Sequence, residues 1–254
     1  MTIKTHHPAP AVARAIAIME LLAESRRGSS ISELSHKLSL PKSSVHLIVK
    51  TLEGHGYLQK SPQTGHYRLG LKLVSLSKKA LNNLSLREEA RPFMQTLVKK
   101  TGLTAHLGVL EGSEAVIVEK VEAPGLIKLA TWVGRRLDAH CTGVGKALLA
   151  YLPEEEFDTL IKARALTRHN QKTIVSIGKL KRELLQVRTQ GYALDDEEDE
   201  IGLRCIGSAI LDREGRAIAA VSVAGTTAQI TAERIPSLVA LVKGTALSIS
   251  HWEL

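Results

Sequence analysis

Cysteine is scarce in this chain: only Cys141 and Cys205 occur among its 254 residues. Two cysteines cannot build the disulfide framework that stabilises small secreted domains. Apolar residues never run on for the roughly eighteen positions that a membrane-spanning helix needs, so no membrane partner is expected. Residues 1–10 lack the apolar core of a signal peptide and are predicted to form a loose tail. These absences favour a protein of the reducing cytoplasm.

Positive charge is concentrated in the first third of the chain. The formal net charge is +8, and residues 1–84 hold twelve Lys or Arg against four Asp or Glu. Residues 85–254 hold twenty-two of each kind and are therefore neutral. A small basic module joined to a larger neutral one suggests that the first third meets a polyanion. A basic face that only aids solubility would produce the same composition. Sequence motifs are therefore needed to distinguish it from a surface that binds a polyanion.

The spacing of apolar residues in the first third predicts three helices. Ser30 and Glu33 form a capping box that begins a short second helix. Pro41 lacks an amide hydrogen and suits the first turn of a third helix, which closes at Gly54. The first helix covers roughly residues 10–24, and its buried side is predicted to contain Val12, Ile16, Met19 and Leu22.

The predicted third helix is polar on its outer side, as a helix in the major groove of DNA must be. Side chains that can reach phosphates or base edges lie at its start, opposite the apolar side: Lys42, Ser43, Ser44 and His46. A capped surface helix without any partner would show the same pattern. This segment alone therefore leaves DNA binding open.

A predicted β-hairpin follows the third helix directly. Residues 57–60 and 66–69 read as strands, and the turn residues between them include Gly65. A hairpin in this place is typical of a wing, from which Lys60, His66 and Arg68 would touch phosphate or the minor groove. The hairpin favours DNA binding over the surface helix without a partner. Residues 71–84 are predicted to form a linker helix.

The last two thirds are predicted to form a mixed α/β domain around a largely antiparallel sheet. Alternating, β-branched runs predict strands over residues 105–110, 115–121, 128–133, 206–211 and 217–223. Longer amphipathic stretches predict helices over residues 145–151, 154–163, 179–190 and 231–251. This alternation is typical of a domain with its own core.

A glycine-rich segment over residues 143–147 superficially resembles a phosphate-binding loop. His140 occupies the place of the first glycine of that motif, and Ala147 the place of its Ser or Thr, which disfavours nucleotide binding. Two interpretations stay open. The segment is either a glycine turn whose free amides favour an anion at the start of a helix, or a plain tight turn.

The cysteines and histidines do not show the spacing of a metal or catalytic site. His140 and Cys141 are adjacent, and on an extended strand adjacent side chains point to opposite faces. Metal-ligand spacing is missing among these residues together with His106 and Cys205. Buried structural cysteines are therefore expected, with no catalytic residue, no metal and no cofactor.

Six consecutive acids form what we call the acidic run, residues 195–200. A calcium loop would need a different spacing and a glycine, and both are missing. A solvated loop is the usual meaning of such a run.

The chain is similar to the IclR family of bacterial transcription regulators in segments spread over nearly its whole length. Two of these segments are Leu40-Pro41-Lys42-Ser43-Ser44-Val45 and Gly202-Leu203-Arg204-Cys205-Ile206. The others cover residues 12–15, 56–57, 67–70, 101–102, 105–107, 133–137, 140–148, 191–192 and 196–198. The resemblance implies an α+β chain with a winged helix-turn-helix over residues 1–70, a linker helix over 71–84 and a GAF-like effector-binding domain over 85–254.

The resemblance also implies functional residues. Contacts with double-stranded operator DNA are expected from Arg14, Lys42, Ser43, Ser44, His46, Lys50, His66 and Arg68. The effector pocket is expected to contain Leu129, Gly143, Val144, Asp195, Leu203, Cys205 and Ser222. The rest of the acidic run would lie outside it. The chain departs from the family at Leu47, where an arginine is frequent, and at Ala224, where a second serine is frequent.

The effector expected in such a pocket is a small carboxylate or sugar acid. Asp195 would repel a ligand carboxylate, so it is expected to accept a hydrogen bond from a ligand hydroxyl. The whole chain is expected to be a repressor that acts as a homodimer or homotetramer. An enzyme that uses Cys141 or Cys205 is the rival hypothesis, which the lack of a base beside either thiol disfavours. A purely architectural DNA binder would leave the large neutral domain unexplained.

Overall fold

The structure, a computed structural model, describes residues 9–82, 85–163 and 165–252. The chain divides into two compact units, Met1–Asn83 and Leu84–Leu254, which we call the N-terminal and C-terminal units. Most of the predicted tail, residues 1–8, and the end of the predicted linker, residues 83–84, lie outside the described residues.

The N-terminal unit contains three helices followed by a two-stranded hairpin and a further helix. Its elements are α1 (Pro10–Ala23), α2 (Ile31–Leu38), α3 (Lys42–Gly54), β1 (Leu58–Lys60), β2 (Tyr67–Leu69) and α4 (Lys72–Asn82). The capping box of α2 is present, because Ser30 Oγ accepts from the Glu33 amide and Glu33 accepts from the Ser30 amide. β1 and β2 pair antiparallel, with Leu58 opposite Leu69. The predicted winged helix-turn-helix is confirmed.

An apolar cluster joins α1, α2 and α3 to the hairpin. It contains Ile18, Leu22, Leu34, Leu38, Val45, Val49, Leu58 and Tyr67. The buried side predicted for α1 is partly wrong, since Val12 is 58% exposed and Ile16 is 46% exposed. Apolar residues, many of them alanines, surround nearly the whole of α1, so periodicity cannot single out the side that faces the core.

The C-terminal unit is built on one antiparallel sheet. After α5 (Ser85–Thr101) come β3 (Thr104–Glu111), β4 (Glu114–Val121), β5 (Arg136–Asp138), a 3-10 turn (Ala139–Cys141), α6 (Gly143–Leu149), α7 (Glu154–Ala163), α8 (Ile177–Gln190), β6 (Ala193–Asp196), β7 (Leu203–Leu211), β8 (Ala217–Thr226) and α9 (Ile235–Trp252). Within the described residues the strand order is β5-β4-β3-β8-β7-β6. The predicted α/β domain around an antiparallel sheet is confirmed.

The element predictions for this unit contain errors. α5, β5 and β6 were not predicted, and the strand predicted over residues 128–133 is wrong, because those residues are irregular. The Lys120 ammonium accounts for the irregularity. Its Nζ donates to the carbonyls of Leu129 at 3.2 Å and Thr131 at 2.8 Å, so these acceptors are bound to a side chain instead of to a neighbouring strand.

Helix α6 lies directly on one face of the sheet, and all of its residues are buried. Glycines make this approach possible. A Cβ on Gly207 would lie closer than 3.0 Å to the carbonyl of Gly143, and a Cβ on Gly108 would lie 2.6 Å from Val144 Cγ1. The contact places the first two residues of α6 over β7 and β3.

Replacing Gly207 by alanine should destabilise the C-terminal unit by about 1–3 kcal/mol, because the added methyl group meets backbone that cannot yield as a side chain would. The measurement is urea unfolding of the full chain, monitored by circular dichroism. Gly244→Ala is the matched control, since nothing lies within 4 Å of a Cβ at that position in α9. The control should be neutral or stabilising by up to about 1 kcal/mol. Equal stabilities of the two variants would contradict the close contact.

Candidate functional site

The solvent side of α3 carries the polar residues predicted to contact DNA. Lys42, Ser43 and His46 are exposed, and Ser44 is partly buried. Val45 and Val49 hold the opposite side of α3 in the core. Leu47 is 68% exposed beside these residues, where it can contact a thymine methyl group. The helix therefore offers an ammonium, hydroxyls, an imidazole and an apolar contact on one surface.

Two further cations belong to this region. Arg14 Nη1 donates to Ser44 Oγ at 3.3 Å, which joins α1 to the start of α3. Lys50 Nζ lies 2.8 Å from Glu53 Oε2, and this hydrogen bond raises the pKa of Lys50. The pair partly neutralises Lys50, so a phosphate contact by this lysine would have to share or displace Glu53.

The wing carries the remaining predicted DNA contacts. Arg68 is exposed on β2, and its Nη2 donates to Gln59 Oε1 at 3.5 Å. His66 is partly buried just before β2. Lys60 Nζ lies 5.7 Å from the centre of the Tyr67 ring, a distance typical of a cation–π contact. Arg68 and Gln59 share the solvent side of the hairpin, whereas Lys60 lies opposite the buried Tyr67.

The C-terminal unit contains a cavity of about 80 Å³, which we call the sheet cavity. Cross-strand pairing explains why its residues meet: Asp195 lies opposite Cys205, and His106 lies opposite Ser222, so these side chains share a face of the sheet. Of the seven residues predicted for the effector pocket, six line the cavity: Leu129, Val144, Asp195, Leu203, Cys205 and Ser222. Gly143 lies behind them, against the main chain of Cys205.

Ser222 stands out among the cavity residues. It is fully buried, and its hydroxyl forms no hydrogen bond of good geometry among the described residues, where the Cys205 thiol, a weak hydrogen-bonding group, is the polar group beside it. Buried polar groups are nearly always hydrogen-bonded, so an unsatisfied hydroxyl in a cavity wall indicates a place for a polar ligand.

The sequence prediction missed several cavity residues: His106, Thr131, Arg135, Asp199, Glu200 and Arg204. His106 Nε2 and Thr131 Oγ1 form a hydrogen bond of 2.8 Å. Alternation along β3 places His106 on the same face as Gly108, the face on which α6 packs. This pattern could have identified His106 from the sequence. The residues of the irregular loops had no such signal.

The expectation that the acidic run is solvated beyond Asp195 is wrong for Glu198 and Asp199, whereas Glu200 at its end is exposed. Asp195 and Glu198 are buried, and Asp199 and Glu200 line the sheet cavity. Glu197 adopts a left-handed backbone conformation, with φ of 66°, and this turn directs the following residues back over the sheet.

A buried lysine holds the acidic run in place. Lys146 Nζ on α6 donates to the Leu194 carbonyl at 2.6 Å, to Glu183 at 3.1 Å and to Glu198 at 2.5 Å. Burial alone would lower the pKa of Lys146, but the two carboxylates outweigh it and the pKa is raised. Lys146 is therefore a structural cation and not the phosphate-binding lysine of a nucleotide loop.

Burial shifts the titration of the cavity residues. It raises the pKa of Asp195 to about 7, although the Glu198 amide donates to Asp195 Oδ1 at 2.8 Å and opposes the shift. It lowers the pKa of His106 to about 4, so this imidazole is neutral at pH 7. It raises the pKa of Cys205 to about 12 and that of Cys141 still further. Protonated thiols are weak nucleophiles, which argues against the enzyme hypothesis.

The cysteines and histidines fall into two groups, because His106 and Cys205 line the sheet cavity and His140 and Cys141 do not. His140 and Cys141 do not lie on an extended strand but in the 3-10 turn that leads into α6. His140 Nε2 bonds to the Thr167 carbonyl at 3.0 Å. Cys141 lies beside His169 and Asp199 instead, with donor atoms of the three residues within 4.8 Å of one another.

No helix among the described residues is long and apolar enough to span a membrane.

Comparisons with known proteins cover both units. Residues 11–62 match the model of the IclR helix-turn-helix domain. Residues 78–251 match the model described as the bacterial transcriptional regulator IclR C-terminal domain.

Relatives match along most of their length. The transcriptional repressor AllR of Klebsiella pneumoniae is 36% identical over 242 residues, which cover 95% of this chain and 89% of AllR. The crystal structure of Thermotoga maritima IclR has a TM-score of 0.78 and 31% identity, with 95% of this chain and 98% of that chain covered. An IclR homologue from Microbacterium hydrocarbonoxydans, solved in complex with 4-hydroxybenzoate, has a TM-score of 0.81 and 25% identity, with 95% and 98% covered. The chain belongs to the IclR family of bacterial transcriptional regulators.

Proposed function

We propose that the chain is a repressor whose operator affinity changes when a small organic acid binds in the sheet cavity. The unsatisfied Ser222 hydroxyl in the wall of that cavity is the observation that carries the effector part of the proposal. The coupling requires that the effector bind the DNA-competent and DNA-incompetent forms with different affinities.

The size and polarity of the sheet cavity suit a small acid. About 80 Å³ holds a molecule of a few non-hydrogen atoms and is well below the volume of a drug-sized pocket. Arg135 contributes a guanidinium that donates to the Ala130 carbonyl and stacks on Trp132, and its charge also acts on the Asp199 carboxylate, which lines the same cavity. Arg204, by contrast, is paired with Asp196 at 2.6 Å. We assign Arg135 to the ligand carboxylate and Ser222 to a second polar group of the ligand.

A small hydroxy acid fits this arrangement best, and a sugar acid would need a wider cavity than about 80 Å³. Asp195 can accept a hydrogen bond from a ligand hydroxyl in either protonation state, and its raised pKa leaves it partly protonated near pH 7, which reduces its repulsion of a nearby carboxylate. The Microbacterium homologue was solved with 4-hydroxybenzoate, which carries both a carboxylate and a hydroxyl. That complex supports the ligand class and not a particular ligand.

Operator recognition is assigned to the N-terminal unit. In this proposal the start of α3 reads base edges while Arg14, Lys42, Lys50, His66 and Arg68 contact phosphate or the minor groove. Residues 1–70 would form the DNA-binding domain, 71–84 a linker helix and 85–254 the effector domain. A homodimer or homotetramer would present paired helices to a symmetric operator.

A screen tests the proposed function as a whole. Small carboxylates and hydroxy acids are added to the full-length protein in a thermal-shift assay, because a ligand that binds only the folded state raises its apparent stability. Operator binding is then measured with and without each hit, on a duplex selected from a random-sequence pool. An acid that stabilises the protein and changes operator affinity is expected. Turnover of the bound acid would revive the enzyme hypothesis.

Operator affinity should fall steeply with salt, since each phosphate contact contributes a slope of about −0.9 in a plot of log K against log salt concentration. Lys42→Ala should reduce the magnitude of the slope by about 1. Lys99→Ala is the control, because this exposed lysine lies on α5 in the C-terminal unit.

Ser43→Ala or His46→Ala should each reduce the free energy of binding to the selected duplex by about 1–3 kcal/mol if the side chain reads a base. Unchanged base preference in both would remove α3 as the reader.

Ser222→Ala should weaken effector binding by about 1–3 kcal/mol, because it removes one hydrogen-bonding group from a buried site. Operator affinity without effector should stay at the parental value. Ser208→Ala is the matched control: Ser208 is a neighbouring buried serine on β7, and its hydroxyl donates to the Gly191 carbonyl. If Ser222→Ala binds the effector as tightly as Ser208→Ala and the parent do, the effector binds elsewhere.

The raised pKa of Asp195 makes stability depend on pH. Between its ordinary value of 3.8 and about 7, the folded chain keeps a proton that the unfolded chain has lost. This contribution to stability is complete below pH 3.8 and is lost as the pH rises through about 7. Asp195→Asn is never charged, so its stability relative to the parent should increase between about pH 5 and pH 8, by about 1–3 kcal/mol.

The measurement for Asp195 is urea unfolding across this pH range. Asp212→Asn serves as the control, because the Arg216 amide lowers the pKa of Asp212 and that group is already ionised in the folded chain at pH 5. If the difference in unfolding free energy between Asp195→Asn and the parent does not change with pH, the raised pKa of the buried Asp195 carboxyl is contradicted.

A further inference from the structure

Three metal-ligating side chains meet at the edge of the C-terminal unit. A sulfur of Cys141, a ring nitrogen of His169 and a carboxylate oxygen of Asp199 all lie within 4.8 Å of one another. They come from separate segments: the 3-10 turn before α6, the loop before α8, and the acidic run after β6. Because of this separation in the chain, the cluster has no signature in the sequence.

We propose that Cys141, His169 and Asp199 bind one divalent transition-metal ion per chain, for which Zn²⁺ is the best fit. A mixed set of one sulfur, one nitrogen and one oxygen donor suits borderline cations. Calcium and magnesium prefer oxygen donors alone and are disfavoured here. This proposal does not depend on the identity of the effector.

The spacing of the donors is close to that of a tetrahedral site. Metal–ligand bonds of about 2.0–2.3 Å place tetrahedral ligands about 3.3–3.8 Å apart. The donor atoms lie within 4.8 Å of one another, and Cys141 Sγ is 4.0 Å from Asp199 Oδ1. Rotations that move the donors by about 1 Å would close the site, and the exposed His169 side chain has room to rotate.

A neighbouring carboxylate is placed to orient the histidine. Asp138 Oδ2 lies 2.9 Å from His169 Nε2, the contact by which a carboxylate commonly positions a metal-bound imidazole. If Nε2–H stays bound to Asp138, the metal bond has to form through Nδ1. The Cys141 thiol releases its proton to solvent on binding, and the resulting thiolate forms the metal–sulfur bond. Asp138 is a positioning residue in this site.

Three protein ligands leave the fourth position to water or an exchangeable ligand. A surface depression borders the cluster, and its wall includes Arg136, Asp138, His169 and Glu200. Asp199 belongs to the sheet cavity as well. A bound ion would therefore place positive charge at the rim of the proposed effector cavity.

The test uses full-length protein without an affinity tag, freed of metal and carrying His6→Ala and His7→Ala so that the N-terminal histidines cannot bind the probe. Co²⁺ is titrated in and absorbance is recorded, because a cobalt–thiolate bond produces a charge-transfer band that oxygen or nitrogen ligands alone do not. Zn²⁺ affinity is then measured by displacement of the bound Co²⁺. One equivalent per chain and a thiolate band are expected.

Variants assign the ligands. Cys141→Ser should abolish the thiolate band, whereas Cys205→Ser, the matched control, should retain it. His169→Gln and Asp199→Asn should each weaken Zn²⁺ binding at least tenfold. Asp138→Asn should weaken it about tenfold while retaining the band, because Asp138 orients His169 and gives no ligand atom to the ion.

His169→Gln keeps the assignment testable even if Cys141→Ser does not fold, since the His169 side chain is exposed and contributes little packing. Three results would each overturn the proposal: no thiolate band in the parent, an unchanged band in Cys141→Ser, or equal Zn²⁺ affinity in His169→Gln and the parent.

Discussion

Direct contact between α6 and the sheet is the constraint on which the C-terminal unit depends. Gly108 and Gly207 leave space where a side chain would meet α6, so the helix packs on strand backbone. Gly145 likewise permits the 3-10 turn to lie against α6, since a Cβ there would meet Ala139. The helix then brings Val144 into the cavity wall and Lys146 to the acidic run. The sheet cavity and the loops around it follow from this one packing arrangement.

The parts of the fold that rest on local interactions could be predicted from the sequence. The capping box at Ser30 and Glu33, the turn of the wing and the alternation of β3 and β4 each depend on residues close together in the chain. The side of α1 that is buried could not be predicted, because apolar residues surround that helix. Residues 128–133 have the composition of a strand, but the side chain of Lys120 on β4 binds two of their carbonyls.

The residues of the candidate site likewise divide into those that could be predicted from the sequence and those that could not. Residues on strands and on α6 that the family resemblance suggested lie beside one cavity. Arg135, Asp199 and Glu200 reach the cavity from irregular segments, and their paths depend on interactions distant in sequence. The acidic run is the clearest example: composition indicates a solvated loop, yet the left-handed Glu197 and the ion pair of Lys146 with Glu198 turn the run inward. Lys146, a buried cation far from the acidic run in sequence, therefore gives carboxylates of the run a structural role that composition alone does not indicate.

The contact of Gly143 with β7 also limits how such a sensor can change during evolution. Behind the cavity the two segments meet backbone against backbone, so substitutions there disturb the fold before they alter ligand preference. The walls carry no such restriction, since Leu129, Leu203 and Ala224 contribute ordinary side chains. A duplicated gene could therefore acquire a new chemical signal by changing a few wall residues while its helix-turn-helix continues to bind the old operator.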